Sequence, residues 1–145
     1  MRYLVYRPRS EAETRIYLAK RGYTPVAAET AIEKLRSLNY LNDAAFARDW
    51  ALRRAETYGF GPKRIEQELK SKGIDRVRIQ AALHEVFAQI DPADRAERLL
   101  AKHFTTDDLT DPKILRRAAA FLRRRGYGSN VVFNLLGYSV EDDEP

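Results

Sequence analysis

The stretch GPKRIEQELKSKGID (residues 61–75) opens and closes as a helix does. Gly61-Pro62 supplies the entry, because proline has no N–H to leave unpaired in a first helical turn and its fixed φ already suits one. Lys72-Gly73 supplies the exit, with glycine free to take the left-handed conformation past the last turn. The closing phrase, Leu69-Lys-Ser-Lys72-Gly73-Ile74, has two echoes, Leu18-Ala-Lys-Arg21-Gly22-Tyr23 and Leu122-Arg-Arg-Arg125-Gly126-Tyr127. Gly22 and Gly73 stand 51 residues apart, and Gly73 and Gly126 53 apart. A period near fifty in helical spelling predicts units of about three helices each.

The segments after the three glycines agree. Thr24-Pro25 caps and starts a helix with Ala28, Ala31, Ile32, Leu35 and Leu38 on one stripe. Asp75 caps the next, where Ile79, Ala82, Leu83, Val86, Phe87 and Ile90 keep a helical period. Ser129 is the expected cap of a third, carrying Val131, Val132, Leu135 and Leu136; VVF (131–133) is β-prone alone, but the helical stripe outweighs it. Two further helices open at Asn42-Asp43, with Phe46, Ala47, Trp50, Ala51 and Arg54 on one side, and at Asp91-Pro92, with Ala96, Leu99, Leu100 and His103 inward. The expected fold is all-α: eight helices in a tandem, elongated, curved or right-angled solenoid-like array. Its units span 1–40, 41–90 and 91–138, followed by an acidic tail, 139–145. The first unit has two helices, its first helix finding no room in the nine residues before Ser10.

Composition narrows the chemistry. The 145 residues contain no cysteine, which removes disulfides and thiolate chemistry and suits a reducing cytoplasm. Arg7, Pro8 and Arg9 interrupt the N-terminal stretch before a signal-peptide core could form, and no run approaches membrane-spanning length. Lys and Arg number 26 against 21 Asp and Glu, yet four of the acids stand together at 141–144. From Pro112 to Val140 there are six basic residues and no acid. That asymmetry favours a polyanionic or acidic partner and says nothing about fold.

Catalytic constellations do not form. HEVFA (84–88) imitates the start of a zinc-protease helix, but Ala88 stands where the second histidine is required. YGFGP (58–62) lacks the lysine of a phosphate loop and reads as a turn. Asp107-Asp108 and Asp142-Asp143 are adjacent rather than spaced as metal ligands or an acid–base pair. No metal, cofactor or catalytic residue is expected, and an enzyme is the weakest class.

A binding face is visible. In PKILRRAAAFLRRRG (112–126), Arg116, Arg117, Arg123 and Arg124 fall within about 120° of one another at 100° per residue. Ile114, Leu115, Ala118, Phe121 and Leu122 take the opposite side. Four arginines without interleaved acids repel one another and gain no i,i+4 pairing, so a contact face for phosphate or carboxylate is preferred over a merely solvated one. Lys113 extends it, while Arg125 is placed to offset the helix's C-terminal partial charge. Lys63, Arg64 and Lys70 are secondary candidates, with Glu66 available to pair with Lys63 or Lys70. Arg53 and Arg54 lie among Trp50, Tyr58 and Phe60, an interleaving that can stack bases. For Trp50 itself a core position with a polar edge is preferred.

Tyr40-Leu41-Asn42-Asp43-Ala-Ala-Phe46-Ala47, then Gly61-Pro62-Lys-Arg64-Ile65-x-x-Glu68-Leu69-x-x-Lys72-Gly73-Ile74 and Ile79, resembles the RecX family of recombination regulators. Arg9-Ser10, Lys20-Arg21-Gly22-Tyr23 and Arg124-Arg125-Gly126-Tyr127 extend the resemblance over nearly the whole chain. It implies an array of three-helix units and a cytoplasmic, cofactor-free protein of recombination, DNA repair and the SOS response. It also implies a negative modulator lodged in the groove of the RecA filament, reducing ATP hydrolysis, strand exchange and filament growth. Some members also bind DNA, single- or double-stranded, and a monomer is expected. The rival expectation is a stand-alone basic DNA-binding protein whose units act as helix-turn-helix readers; a third is a helical scaffold for another acidic protein.

Overall fold

The computed structural model describes residues 8–137, and the acidic run 141–144 lies outside them. The described residues form eight α-helices and one short 3-10 turn, with no strand among them. The helices are α1 (Glu11–Lys20), α2 (Pro25–Ser37), α3 (Asp43–Tyr58), α4 (Pro62–Ser71), α5 (Arg76–Gln89), α6 (Pro92–His103), α7 (Pro112–Arg124) and α8 (Ser129–Leu136), with the turn at Asp108–Thr110 between α6 and α7.

Most helix starts are fixed by their own side chains. Ser10 and Glu13 form a reciprocal capping box on α1, while Thr24, Asn42, Asp75, Asp91 and Asp111 each accept a first-turn N–H of α2, α3, α5, α6 and α7. Each such cap is worth about 1 kcal/mol. The expected cap at Ser129 is corrected: α8 begins at Ser129 itself, and Gly128 occupies the extended capping position without a side-chain bond.

Buried side chains gather into three clusters. Leu18, Ala28, Ile32, Leu35 and Leu41 join α1 to α2. Phe46, Ala51, Ile65, Leu69, Ile79 and Val86 are among those that join α3, α4 and α5, with α3 lying along α5. Ala96, Leu100, Ala118, Leu122, Tyr127 and Val132 join α6, α7 and α8. Trp50 packs against the second cluster while its indole Nε1 donates to Glu68 at 3.1 Å, so its polar edge is satisfied. His103 departs from the expected inward position: it is exposed at the last residue of α6, where the apolar stripe runs out, and its ring lies 4.9 Å from that of Phe121.

Helices α1, α4 and α7 end in the same motif. Tyr23, Ile74 and Tyr127 donate their N–H to the carbonyls of Leu18, Leu69 and Leu122 at 3.0–3.1 Å. Gly22, Gly73 and Gly126 donate to Ala19, Lys70 and Arg123 at 2.9–3.1 Å. These paired bonds define a Schellman ending, which needs a left-handed residue, and the glycines have φ of 90°, 79° and 100°.

Candidate functional site

The glycine endings are also where the units meet. The end of α7 abuts the start of α4: Gly61 N–H donates to the Arg125 carbonyl at 2.7 Å and Lys63 N–H to the Gly126 carbonyl at 3.0 Å. Gly61 therefore needs no capping side chain, since the neighbouring unit's backbone satisfies these first-turn donors. The end of α4 abuts the start of α1 in a related way, with the Ser10 hydroxyl donating to the Lys72 carbonyl at 2.7 Å. Glu13 adds an ion pair to Lys72 at 3.6 Å. The partially negative end of one helix thus faces the partially positive start of the next at both joints.

Space at the joints is fully used. A Cβ on Gly61 would sit 2.6 Å from the Gly126 carbonyl oxygen, and one on Gly126 would meet the Arg64 Cβ. A Cβ on Gly73 would meet the Ala12 Cβ, whereas one on Gly22 would meet nothing within 4 Å among the described residues. The α4–α7 joint is sealed by Tyr127, 2% exposed, whose phenol donates to the Gly59 carbonyl at 2.8 Å. Arg125 serves a different helix end from the one expected: its Nη1 donates to the carbonyl of Tyr58, the last residue of α3, at 2.7 Å.

The joint gathers some of the predicted cations and leaves others apart. Lys63, Arg64, Arg123 and Arg124 line one cleft of about 490 Å3 with Gln67, Gly126, Tyr127 and Ser129, and among the described residues no acidic side chain lines it. All four cations are exposed. Arg64 is partly engaged, its guanidinium 3.7 Å from the Phe60 ring centroid and bonded to the Arg124 carbonyl at 3.2 Å. Arg116 and Arg117 are exposed on the same helix but seven residues earlier, about 10 Å along the axis, and do not line the cleft. Lys113 is exposed at the start of α7, where its N–H is held by Asp111. Lys70 pairs with Glu66 at 3.2 Å.

Arg54 is built into the fold. Its guanidinium lies 4.5 Å from the Trp50 ring centroid and 4.8 Å from that of Tyr58, and 3.5 Å from the Glu68 carboxylate. Arg53 is exposed and lines, with Pro8, Phe46, Asp49, Trp50, Arg54 and Tyr58, a mainly apolar hollow of about 160 Å3.

A second basic group escaped the sequence reading. Arg95, Arg98, Lys102 and Arg125 line a cleft of about 320 Å3 that also takes in Glu56, Tyr58, Gly59 and His103. Arg95, Arg98 and Lys102 lie within about 60° of one another at helical pitch, a signal present in the sequence. Asp94 and Glu97, interleaved along the same helix, concealed it.

Among the described residues no group of three or more His, Cys, Asp or Glu is placed to hold a metal, and no helix is long and apolar enough to cross a membrane. The arrangement defines a tandem three-helix-repeat protein whose cations from two neighbouring units converge on a joint. Comparison with known proteins places it within one family. Residues 1–35 match the model described as RecX, first three-helix domain, and residues 42–83 that of RecX, second three-helix domain. The chain is 32% identical over 143 residues to the Regulatory protein RecX of Mycolicibacterium vanbaalenii, covering 94% of this chain and 77% of that one. It is 44% identical over 149 residues to the Regulatory protein RecX of Lactobacillus johnsonii, covering 99% of this chain but 55% of that longer one. A crystal structure of regulatory protein RecX superposes with a TM-score of 0.78 at 26% identity, covering 93% of this chain and 66% of that chain. The chain belongs to the RecX family of regulatory proteins.

Proposed function

We propose that this protein restrains RecA filaments by binding them, with the α4–α7 joint as its contact face. The observation that carries the proposal is the cleft of Lys63, Arg64, Arg123 and Arg124, in which two units each contribute two cations and, among the described residues, no acid lines the surface. Guanidinium forks suit carboxylates and phosphates alike, which are what a nucleoprotein filament presents. Arg116, Arg117 and Lys113 extend the positive surface along α7. A succession of units, 1–40, 41–90 and 91–138, is suited to lie along an extended partner, lowering ATP hydrolysis, strand exchange and filament growth by occupying the groove. The acidic tail, 139–145, carries the opposite charge and would temper that contact.

The test is RecA-catalysed ATP hydrolysis on single-stranded DNA, measured with increasing amounts of this protein at low salt. Inhibition is expected at stoichiometric amounts; an unchanged rate overturns the proposal. The Lys63→Glu/Arg123→Glu/Arg124→Glu variant should lose inhibition while keeping its helicity. Inhibition undiminished in that folded variant would move the contact away from the joint.

A further inference from the structure

The acidic run 141–144 follows α8 closely in the chain, and the first residue of that helix, Ser129, lines the cleft between α4 and α7. We infer that the run folds back along α8 and occupies this cleft, its carboxylates on Lys63, Arg64, Arg123 and Arg124, as a built-in competitor of any outside polyanion. That the covered cleft is a filament contact rests on the function proposed above; the covering itself needs no RecA.

The run has the reach. Helix α8 has eight residues and is about 12 Å long. Gly137 ends it in the left-handed region, at φ 66° and ψ 16°, close to Gly59 at φ 67° and ψ 26°. At Gly59 that conformation turns the chain off α3 and into α4, which packs back against α3. The same bend at Gly137 takes the chain off the α8 axis. Four residues lead from Gly137 to Glu141 and seven to Glu144, about 13 and 23 Å when extended. Four residues therefore cover the length of α8, and the run arrives at the helix start beside Ser129.

Charge selects the cleft. The side chains of Lys63, Arg123 and Arg124 have no hydrogen bond or ion pair among the described residues, in contrast to Arg15, Arg36 and Arg78, which pair with Glu29, Glu11 and Asp75. Arg64 gives one N–H to the Arg124 carbonyl and has further donors for a carboxylate. After Asp111 the next acids in the chain are those of the run, so α7 and α8 bring no counter-charge of their own. Four carboxylates thus meet four cations, three of them guanidinium forks that suit carboxylate geometry. The α6 cleft of Arg95, Arg98, Lys102 and Arg125 is the weaker acceptor, because Glu56 lines it and no residue of α8 does. Exposed ion pairs are individually weak, but the tether makes the contact intramolecular, with an effective concentration on the order of millimolar. A polyanion carrying more charge displaces the run, so the tail sets a threshold for binding.

The chain has no cysteine, so Pro145→Cys gives a single site for a nitroxide spin label. In the whole chain, isotope-labelled and at low salt without RecA, the label should broaden the NMR signals of the Lys63, Arg64, Arg123 and Arg124 amides and leave those of Arg95, Arg98 and Lys102 sharp. Salt at about 0.5 M, where the Debye length is about 4 Å, should remove the broadening. So should Glu141→Gln/Asp142→Asn/Asp143→Asn/Glu144→Gln, and so should Arg123→Glu/Arg124→Glu at two exposed positions. With its run neutralised, the protein should inhibit RecA hydrolysis at a concentration roughly threefold lower or less, because a cleft open in only a fraction of molecules binds more weakly by that fraction. Cleft amides as sharp as those of α6, or broadening centred on α6, would overturn the inference. Equal broadening in a mixture of spin-labelled protein with isotope-labelled protein lacking the spin label would overturn it too, by assigning the run to a second copy. Where the parent inhibits RecA, a neutralised variant that inhibits no better would also overturn it. If neither inhibits while the cleft amides broaden, the filament proposal fails and the tail contact stands.

Discussion

The phenol of Tyr127 donates to the main-chain carbonyl of Gly59 at 2.8 Å inside the joint between α4 and α7, out of reach of solvent. Tyr127→Phe would remove the donor and leave that buried carbonyl unpaired, at a cost of about 1–2 kcal/mol. Urea denaturation should show a lower midpoint with an unchanged slope. A variant as stable as the parent would mean that the carbonyl is satisfied otherwise.

The same phenol makes stability depend on alkaline pH. Burial pushes its pKa up to about 12, against the opposing pull of the positive charges of Arg95 and Arg125. The neutral form is therefore the one favoured by the fold. Its contribution is complete below the ordinary tyrosine value near 10 and is lost as the pH rises through about 12. Between those limits the parent should lose stability faster than Tyr127→Phe, which has no phenol to ionise there. Parallel stability curves for the two proteins would contradict this.

Three alanine substitutions should separate two reasons for the same residue. At Gly22 the backbone is left-handed but a Cβ would meet nothing, so Gly22→Ala should cost about 1–2 kcal/mol. At Gly73 the same strain is joined by collision with the Ala12 Cβ, and at Gly126 by collision with Arg64. The Arg64 backbone N would lie 2.5 Å from the new Gly126 carbon, and backbone yields less readily than a side-chain tip. The expected order of thermal destabilisation is Gly126→Ala, then Gly73→Ala, then Gly22→Ala. Equal melting temperatures would show that the joints open without consequence.

The helices were legible in the sequence because the devices that start and stop them are local. Asn42, Asp75, Asp91 and Asp111 bond to backbone two or three residues on, and the Schellman glycines to backbone three residues back. The joints were not legible, because they connect residues more than sixty positions apart, Gly61 with Arg125 and Ser10 with Lys72. The same distance in sequence explains the partial view of the site. The arginine face of α7 is a property of one helix and could be read from it. The meeting of Arg123 and Arg124 with Lys63 and Arg64 follows only once two units have docked, and that of Arg125 with the α6 cations only once the helices of the third unit have packed. Ser129 was misplaced by one position, enough to turn an expected cap into a first-turn residue.

Arg53 and Arg54, neighbours in the chain, should behave oppositely when replaced. Arg54 lies over the Trp50 and Tyr58 rings and beside Glu68, whose carboxylate also accepts from the Trp50 indole. Arg54→Ala removes both ring contacts and the ion pair. At an intermediate degree of exposure each cation–π contact is worth about 0.5–1 kcal/mol, and the partly exposed ion pair about as much or less. A loss of about 1–3 kcal/mol in chemical denaturation is expected, and it should be only partly recovered by Arg54→Lys, since an ammonium cannot lie flat between two rings. Arg53 is exposed at the rim of the Trp50 hollow and has no hydrogen bond or ion pair among the described residues, so Arg53→Ala should leave denaturation within about 0.5 kcal/mol of the parent. Its effect should be on oligonucleotide binding, as a reduced salt slope at unchanged stability. Loss of stability on replacing Arg53, or none on replacing Arg54, would reverse the roles assigned to the pair.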